Sequence, residues 1–149
     1  MNELLLIVKI ADNRVALPAA QVESVVELDA LIDVPRAPDH VAGLSALRSR
    51  VLTVIDCRRS LELGETEWAK EGGIHEAAVV EVEGHHYALT VDLVEDVCES
   101  QSDPQPIRAK LEAGWARVAK GTVETEQGPL LLVDLPALIA GPVADKAAA

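Results

Sequence analysis

The chain contains no phenylalanine, and its two Trp and one Tyr bring the aromatic share of the 149 residues to only 2%. A core without aromatic rings must be filled by Val, Leu and Ile, whose branched side chains pack well on pleated sheets. Apolar residues still make up 49% of the chain, which is enough for a packed interior and excludes general disorder. The composition favours β structure, in one ordinary domain or in two small lobes.

Cysteines and long apolar runs are scarce as well. Cys57 and Cys98 lie far apart and neither belongs to a CxxC pair, which predicts two buried free thiols. No apolar stretch approaches the roughly 18–20 residues that span a bilayer. The first residues lack the pattern of a secretory signal, since Lys9 interrupts a short apolar run. We expect a cytoplasmic protein that does not insert into the membrane.

Positive charge is also in deficit, with 13 Lys and Arg against 25 Asp and Glu and a formal net charge of −12. A field of that sign repels nucleic acids and anionic lipid surfaces. One segment departs from it. Between residues 36 and 59, five Arg residues face only two Asp residues, a local charge of +3. This segment is either a solvated sheet surface or a docking patch for an acidic partner.

Two parts of the chain follow the same design. Gly43 opens a stretch that ends in a β-branched apolar run and Asp56, and Gly121 opens another that ends in an apolar run and Asp134. In both copies the Asp follows the Gly by thirteen residues, so the copies are offset by 78 positions. Each Asp is expected to end a strand and to cap the following turn or helix, rather than to act in acid–base chemistry.

The segments upstream repeat at an offset of 72, because Ala16-Leu17 followed by Val22 matches Ala88-Leu89 followed by Val94. The six-residue difference between the offsets predicts a longer connection within residues 98–120. We interpret the chain as a duplication, longer in period than solenoid repeats. Lobe one is predicted over about 14–75 and lobe two over about 76–140 plus the N-terminal strand region. Residues 62–73 form the predicted linker between lobes, and 141–149 a frayed tail.

No catalytic, metal or cofactor site is predicted. Ser45 lies in a GLSAL segment that begins like a nucleophile elbow, but Leu47 replaces the second glycine that the strained turn requires. His85 and His86 are adjacent, so on a strand they point to opposite faces and do not readily bind one metal ion. The pair Arg48 and Arg50 is a better candidate for binding, because residues two apart share a face of an extended strand.

The stretch VPRAPDHVAGLSALRSRVLTVIDCRRSLEL resembles the signature region of CheW-like domains. HHYALTVDLVEDV and GPLLLVDLPALI resemble the second-lobe hairpin and the terminal strand of the same family. The residues that match the signature are Pro35, Pro38, Val41, Gly43, Leu47, Arg48, Val54, Asp56 and Arg58. The family's Asn-Leu-Arg-Gly motif is altered here, where Ala46 and Ser49 replace its Asn and Gly.

The resemblance implies two SH3-like five-stranded β-barrel subdomains with short helical segments. It further implies a non-enzymatic scaffold without cofactors that couples a CheA-type histidine kinase to the cytoplasmic tips of chemoreceptors, recruited to receptor arrays at the inner face of the membrane. The residues at the family's receptor-binding positions are Val22, Gly43, Arg48, Val94 and Val97. The segment expected to bind the kinase's own CheW-like regulatory domain contains Leu28, Leu31 and Ile32.

Two other hypotheses remain. The changes at positions 46 and 49 suit a divergent paralogue that binds the kinase but not the receptor. A different class is a small-molecule-binding β-barrel or minor hydrolase built around Ser45 and a histidine, against which the scarcity of aromatic residues counts, because ligand pockets are usually lined by apolar and aromatic side chains.

Overall fold

The computed structural model describes residues 3–28, 31–47, 50–64 and 75–142. Within these ranges, ten strands, three short helices and a 3₁₀ turn at Ala19–Gln21 follow one another. Their bounds are β1 Leu4–Ile10, β2 Asn13–Pro18, β3 Val22–Leu28, β4 Val41–Leu47, β5 Arg50–Ile55, α1 Cys57–Ser60, β6 His75–Val82, β7 His85–Thr90, β8 Leu93–Glu99, α2 Ala113–Val118, β9 Ala119–Thr125, β10 Gly128–Val133 and α3 Leu135–Ala140.

The strands form two five-stranded sheets, with the orders β3-β6-β7-β5-β4 and β8-β1-β2-β10-β9. We call the first sheet with α1 lobe one, and the second sheet with α2 and α3 lobe two. Most neighbouring strands are antiparallel, but β5 pairs with β7 and β10 pairs with β2 in parallel. The predicted fold class, two five-stranded SH3-like units with short helices, is confirmed.

The two repeats exchange their hairpins. The β1–β2 hairpin begins the first repeat but lies beside β10 and β8 of the second, and the β6–β7 hairpin begins the second but lies beside β5 and β3 of the first. The strands are therefore divided differently from the predicted boundaries, since β2 belongs to lobe two and β6 and β7 to lobe one. The predicted inter-lobe linker, residues 62–73, connects two parts of lobe one instead, and its residues 65–73 lie outside the described part of the chain.

The duplication extends to the pairing of the strands. Thr53 pairs with Tyr87 in lobe one, and the positions offset by 78 and 72, Leu131 and Val15, pair in lobe two. The longer connection predicted within residues 98–120 contains α2, which has no helical counterpart in the first repeat.

The core has three parts. Each sheet encloses a small cluster of its own, formed by side chains such as Leu52 and Val54 in lobe one and their counterparts Leu130 and Leu132 in lobe two. A larger cluster draws buried side chains from both sheets and all three helices, and we call it the shared core. Because burial of each Leu or Val side chain contributes roughly 1.5–3 kcal/mol, the shared core joins the lobes into one folding unit.

Candidate functional site

The predicted receptor-binding residues Val22 and Val94 occupy corresponding positions at the sheet edges. Val22 lies in β3 and Val94 in β8, the edge strands of lobes one and two. Both side chains are half-buried and pack against the shared core. Their strand partners, Val80 and Val8, belong to that core. The structure therefore brings these two predicted residues to the border between the lobes.

Val97 extends the same face toward solvent. It pairs with the core residue Leu6 and is 52% exposed. Its counterpart in lobe one is Val25, which pairs with the core residue Ala78 and is 39% exposed. Val25 was not among the predicted site residues, although the 72-residue repeat that relates it to Val97 was the signal that could have found it. We call these four residues, Val22, Val25, Val94 and Val97, the interlobe valines.

Gly43 has a different position from the interlobe valines. Its φ is +152°, a conformation that side chains strain to adopt, and a Cβ atom there would lie 2.7 Å from the carbonyl oxygen of Ile32. Gly121 repeats this in lobe two, with φ +153° and the same 2.7 Å separation from the carbonyl oxygen of Gln105. Gly43 is thus a buried backbone position that lets the preceding segment pair with β4, and it offers no side chain to a partner.

The residues predicted to bind the kinase divide by exposure. Leu28 is only 3% exposed and belongs to the lobe-one core, so its side chain supports the sheet rather than a partner. Leu31 is half-buried and packs against the same cluster. Ile32 is 62% exposed, and its backbone pairs with Leu44 through hydrogen bonds of 2.8 Å in both directions. Of the three, Ile32 offers the free apolar surface.

The arginine-rich segment is largely paired. A guanidinium nitrogen of Arg50 lies 2.9 Å from Glu23, and one of Arg58 lies 3.0 Å from Asp92. Arg59 lies 4.0 Å from Asp56. These carboxylates come from β3, from the β7–β8 turn and from the end of β5, so folding neutralises charge that the local sequence leaves unbalanced. Arg48 and Ser49 lie outside the described residues.

A set of polar contacts joins the lobes behind the valines. Arg117 of α2 donates hydrogen bonds to the carbonyl oxygens of Ser60 at the end of α1 and of Ala137 in α3. The Ser60 hydroxyl donates to the carbonyl oxygen of Leu138 at 2.6 Å. Gly114 allows this approach, because a Cβ atom there would lie 2.0 Å from the carbonyl oxygen of Leu61. We call this arrangement the Arg117 clamp.

His40 makes a second polar connection between the lobes. The side chain is 7% exposed, and its Nε2 lies 2.9 Å from the carbonyl oxygen of Ile139 at the end of α3. Burial lowers the pKa of His40 below its ordinary value of 6.5, with a smaller opposing effect from this hydrogen bond. The neutral imidazole is therefore the form that the folded protein favours.

Two candidate nucleophiles, Cys57 and Ser45, are buried. Burial raises the pKa of the Cys57 thiol to about 12, so the reactive thiolate is not populated near neutral pH. Cys98 is half-buried rather than buried as expected. Ser45 is 8% exposed and occupies the position that corresponds to the core residue Val123 of lobe two. These side chains are placed for packing, not for attack on a substrate.

The surface offers an open depression of about 600 Å³ beside α1. Its described lining carries both signs of charge and includes no Phe, Tyr or Trp: Pro38, Asp39, His40, Arg59, Glu62, Gly64 and Pro142. A pocket for a small organic ligand is typically concave, mostly apolar and partly aromatic. The depression does not support the small-molecule-binding hypothesis.

Within the described part of the chain, no helix is long and apolar enough to cross a membrane.

Comparisons with known proteins agree with the geometry. A model of the CheW-like domain matches residues 4–142. Among solved structures, the scaffolding protein TtCheW from Thermoanaerobacter tengcongensis superposes with a TM-score of 0.73 at 22% sequence identity. That match covers 91% of this chain and 86% of the other, and at such low identity it establishes the fold alone. A search of curated proteins found no match.

Proposed function

Because the chain belongs to the CheW-like domain family, we propose that it is a non-enzymatic scaffold that couples a CheA-type histidine kinase to the cytoplasmic tips of chemoreceptors. In this proposal it works in the cytoplasm, within receptor arrays at the inner face of the membrane. The single observation that carries the proposal is the border between the lobes, where equivalent valines from two edge strands present apolar surface beside the shared core.

We assign receptor docking to the interlobe valines. Val25 and Val97 are exposed, while Val22 and Val94 pack against the shared core. The interlobe valines therefore combine exposed apolar area with side chains held in place by the core. Such a surface suits the apolar face of a helix, one of the recurring modes of peptide recognition. Arg48 is proposed to fix the register of the receptor tip, and Gly43 acts indirectly, by letting the segment of Ile32 pair with β4.

We assign kinase docking to the segment around Ile32 in lobe one. Its side chain is 62% exposed, and the neighbouring Val34 is 37% exposed. Ile32 lies beside β4, an edge strand of its sheet, so this apolar surface is accessible from the side of the lobe. Leu31 lies under it and Leu28 supports the sheet from inside.

Co-purification from the native host tests both assignments with charged substitutions at exposed positions. Val97→Glu is expected to lose the receptor and keep the kinase, and Ile32→Glu to lose the kinase and keep the receptor when the receptor is supplied directly. Arg48→Glu should behave like Val97→Glu. Recovery of a kinase without a receptor even by the wild-type protein would favour the divergent paralogue. Recovery of neither partner would contradict the proposal.

A further inference from the structure

Three ligating side chains meet on the surface of lobe one, on three neighbouring strands. Glu81 of β6 and His86 of β7 are direct cross-strand partners. Glu23 of β3 joins them, because the register of β3 against β6 shifts between Val22 and Ser24 and leaves Glu23 at the irregularity. One ligand atom from each of the three lies within 4.8 Å of the other two. His86 thus meets two carboxylates that are distant in sequence.

The present contacts already resemble a pair of metal ligands. Nε2 of His86 lies 3.1 Å from Oε2 of Glu23, while Arg50 binds the other oxygen, Oε1, at 2.9 Å. Two zinc ligands with bonds of about 2.0–2.1 Å at a tetrahedral angle lie roughly 3.3 Å apart. An ion could therefore replace the proton between His86 and Glu23 with little movement, while Arg50 keeps its own oxygen.

The equivalent surface of lobe two carries basic residues where lobe one has Glu81 and His86. Positions 81 and 86 correspond to Lys9 and Arg14, and Nε of Arg14 lies 2.7 Å from Oε1 of Glu95, the counterpart of Glu23. Lobe two therefore places one carboxylate, Glu95, beside two basic residues. Lobe one places two carboxylates beside Arg50 and an imidazole, a set richer in metal-ligating groups.

We propose that Glu23, Glu81 and His86 form a binding site for a divalent transition-metal ion of the zinc class. An imidazole with two carboxylates suits zinc and similar ions better than Mg²⁺ or Ca²⁺, which prefer an all-oxygen shell. Water completes the coordination, because the site is open to solvent. His85, on the opposite face of β7, takes no part.

Calorimetric titration with Zn²⁺ tests the site, in protein freed of any polyhistidine tag. The wild type is expected to bind one ion. His86→Arg restores the residue of lobe two and its ion pair while removing the ligand, and Glu81→Gln removes a second ligand. Each should weaken binding by about tenfold or more, since even loss of an outer-shell partner costs that much. Arg50→Gln should tighten binding, because it removes a basic group that lies against Glu23.

His85→Gln is the matched control and should bind as the wild type does. The proposal is overturned if the wild type binds no zinc, if His86→Arg and Glu81→Gln bind it unchanged, or if His85→Gln loses as much affinity as His86→Arg. The last result would mean that zinc binds adventitiously near His85, at the β6–β7 turn, and not at Glu23, Glu81 and His86.

Discussion

The two lobes use the same backbone devices with different side chains. Gly43 and Gly121 have φ values of +152° and +153°. At each of them a Cβ atom would lie 2.7 Å from the carbonyl oxygen of a preceding segment. Asp56 and Asp134 both cap the helix that follows a strand next to the sheet edge, β5 in lobe one and β10 in lobe two. The charged residues beside the edge strands differ, as do the core positions Ser45 and Val123. Duplication thus preserved the turns and pairings that define the fold, while the surface chemistry diverged.

The clearest asymmetry lies where the lobes meet. Arg117 connects α1 and α3, whereas the corresponding residue of the first repeat is Asp39, which is exposed. His40 corresponds to Val118, which is fully buried in the shared core. The interface between two similar lobes therefore depends on residues that the repeat does not share. A duplicated fold acquires a unique arrangement of its halves in this way.

The largest expected effect comes from the shared glycines. Gly43→Ala and Gly121→Ala should each lower the free energy of unfolding by about 3 kcal/mol, because each combines backbone strain with a clash against a carbonyl group. Gly84→Ala is the control, since its φ is also positive, +82°, but a Cβ atom there meets nothing within 4 Å. It should lose only about 1 kcal/mol. Urea denaturation measures all three, and unequal losses at positions 43 and 121 would break the equivalence of the lobes.

Loss of the Arg117 clamp should come next. Arg117→Met keeps much of the side-chain length but removes the hydrogen bonds to Ser60 and Ala137, and we expect a loss of about 2 kcal/mol. Arg14→Met, which removes a surface ion pair within lobe two, is the comparison and should lose less than about 1 kcal/mol. Equal losses in the two variants would show that the clamp does not join the lobes.

The helix caps should differ between the lobes by a smaller amount. Asp56 accepts hydrogen bonds from the backbone N–H groups of Arg58 and Arg59 at 3.1 and 3.3 Å, whereas Asp134 accepts one from Ala137 at 3.4 Å. Asp56→Ala should therefore cost about 1–2 kcal/mol and Asp134→Ala about 0.5–1 kcal/mol. Thermal unfolding measures the stability lost in the two variants. A larger loss in Asp134→Ala than in Asp56→Ala would contradict this order.

The smallest expected effect is a pH dependence at His40, whose side chain contacts α3 of lobe two. The pKa of His40 is lowered in the folded protein, so the unfolded chain binds the proton first as the pH falls below 6.5. Stability from the neutral imidazole is complete above pH 6.5 and is lost on acidification. His40→Val installs the kind of residue found at position 118 and removes this slope, so its difference in stability from the wild type should change between pH 7.5 and 5. The exposed His85→Gln should follow the wild type.

Local sequence patterns predicted the strands, turns and helix caps of each repeat but not how the two repeats pack together. The Gly-to-Asp spacing and the Ala-Leu repeats identified equivalent strands, turns and caps, because each depends on residues close in sequence. The exchange of hairpins was not predictable from these patterns. The sequence repeat would be the same whether the β1–β2 hairpin packed with its own repeat or with the other one. The ion pairs of Arg50 and Arg58 were missed for a related reason, as their partners, Glu23 in β3 and Asp92 in the β7–β8 turn, are distant in sequence.

The central claim is that receptor docking uses equivalent positions from both lobes, and affinity for a receptor tip measures it most directly. Purified receptor tip should be titrated against the wild type, Val25→Glu and Val97→Glu, with Ile32→Glu as the control at an exposed position outside the interlobe valines. The account predicts that each valine variant binds about tenfold more weakly or worse, while Ile32→Glu binds as the wild type does. Wild-type affinity in both valine variants would contradict it.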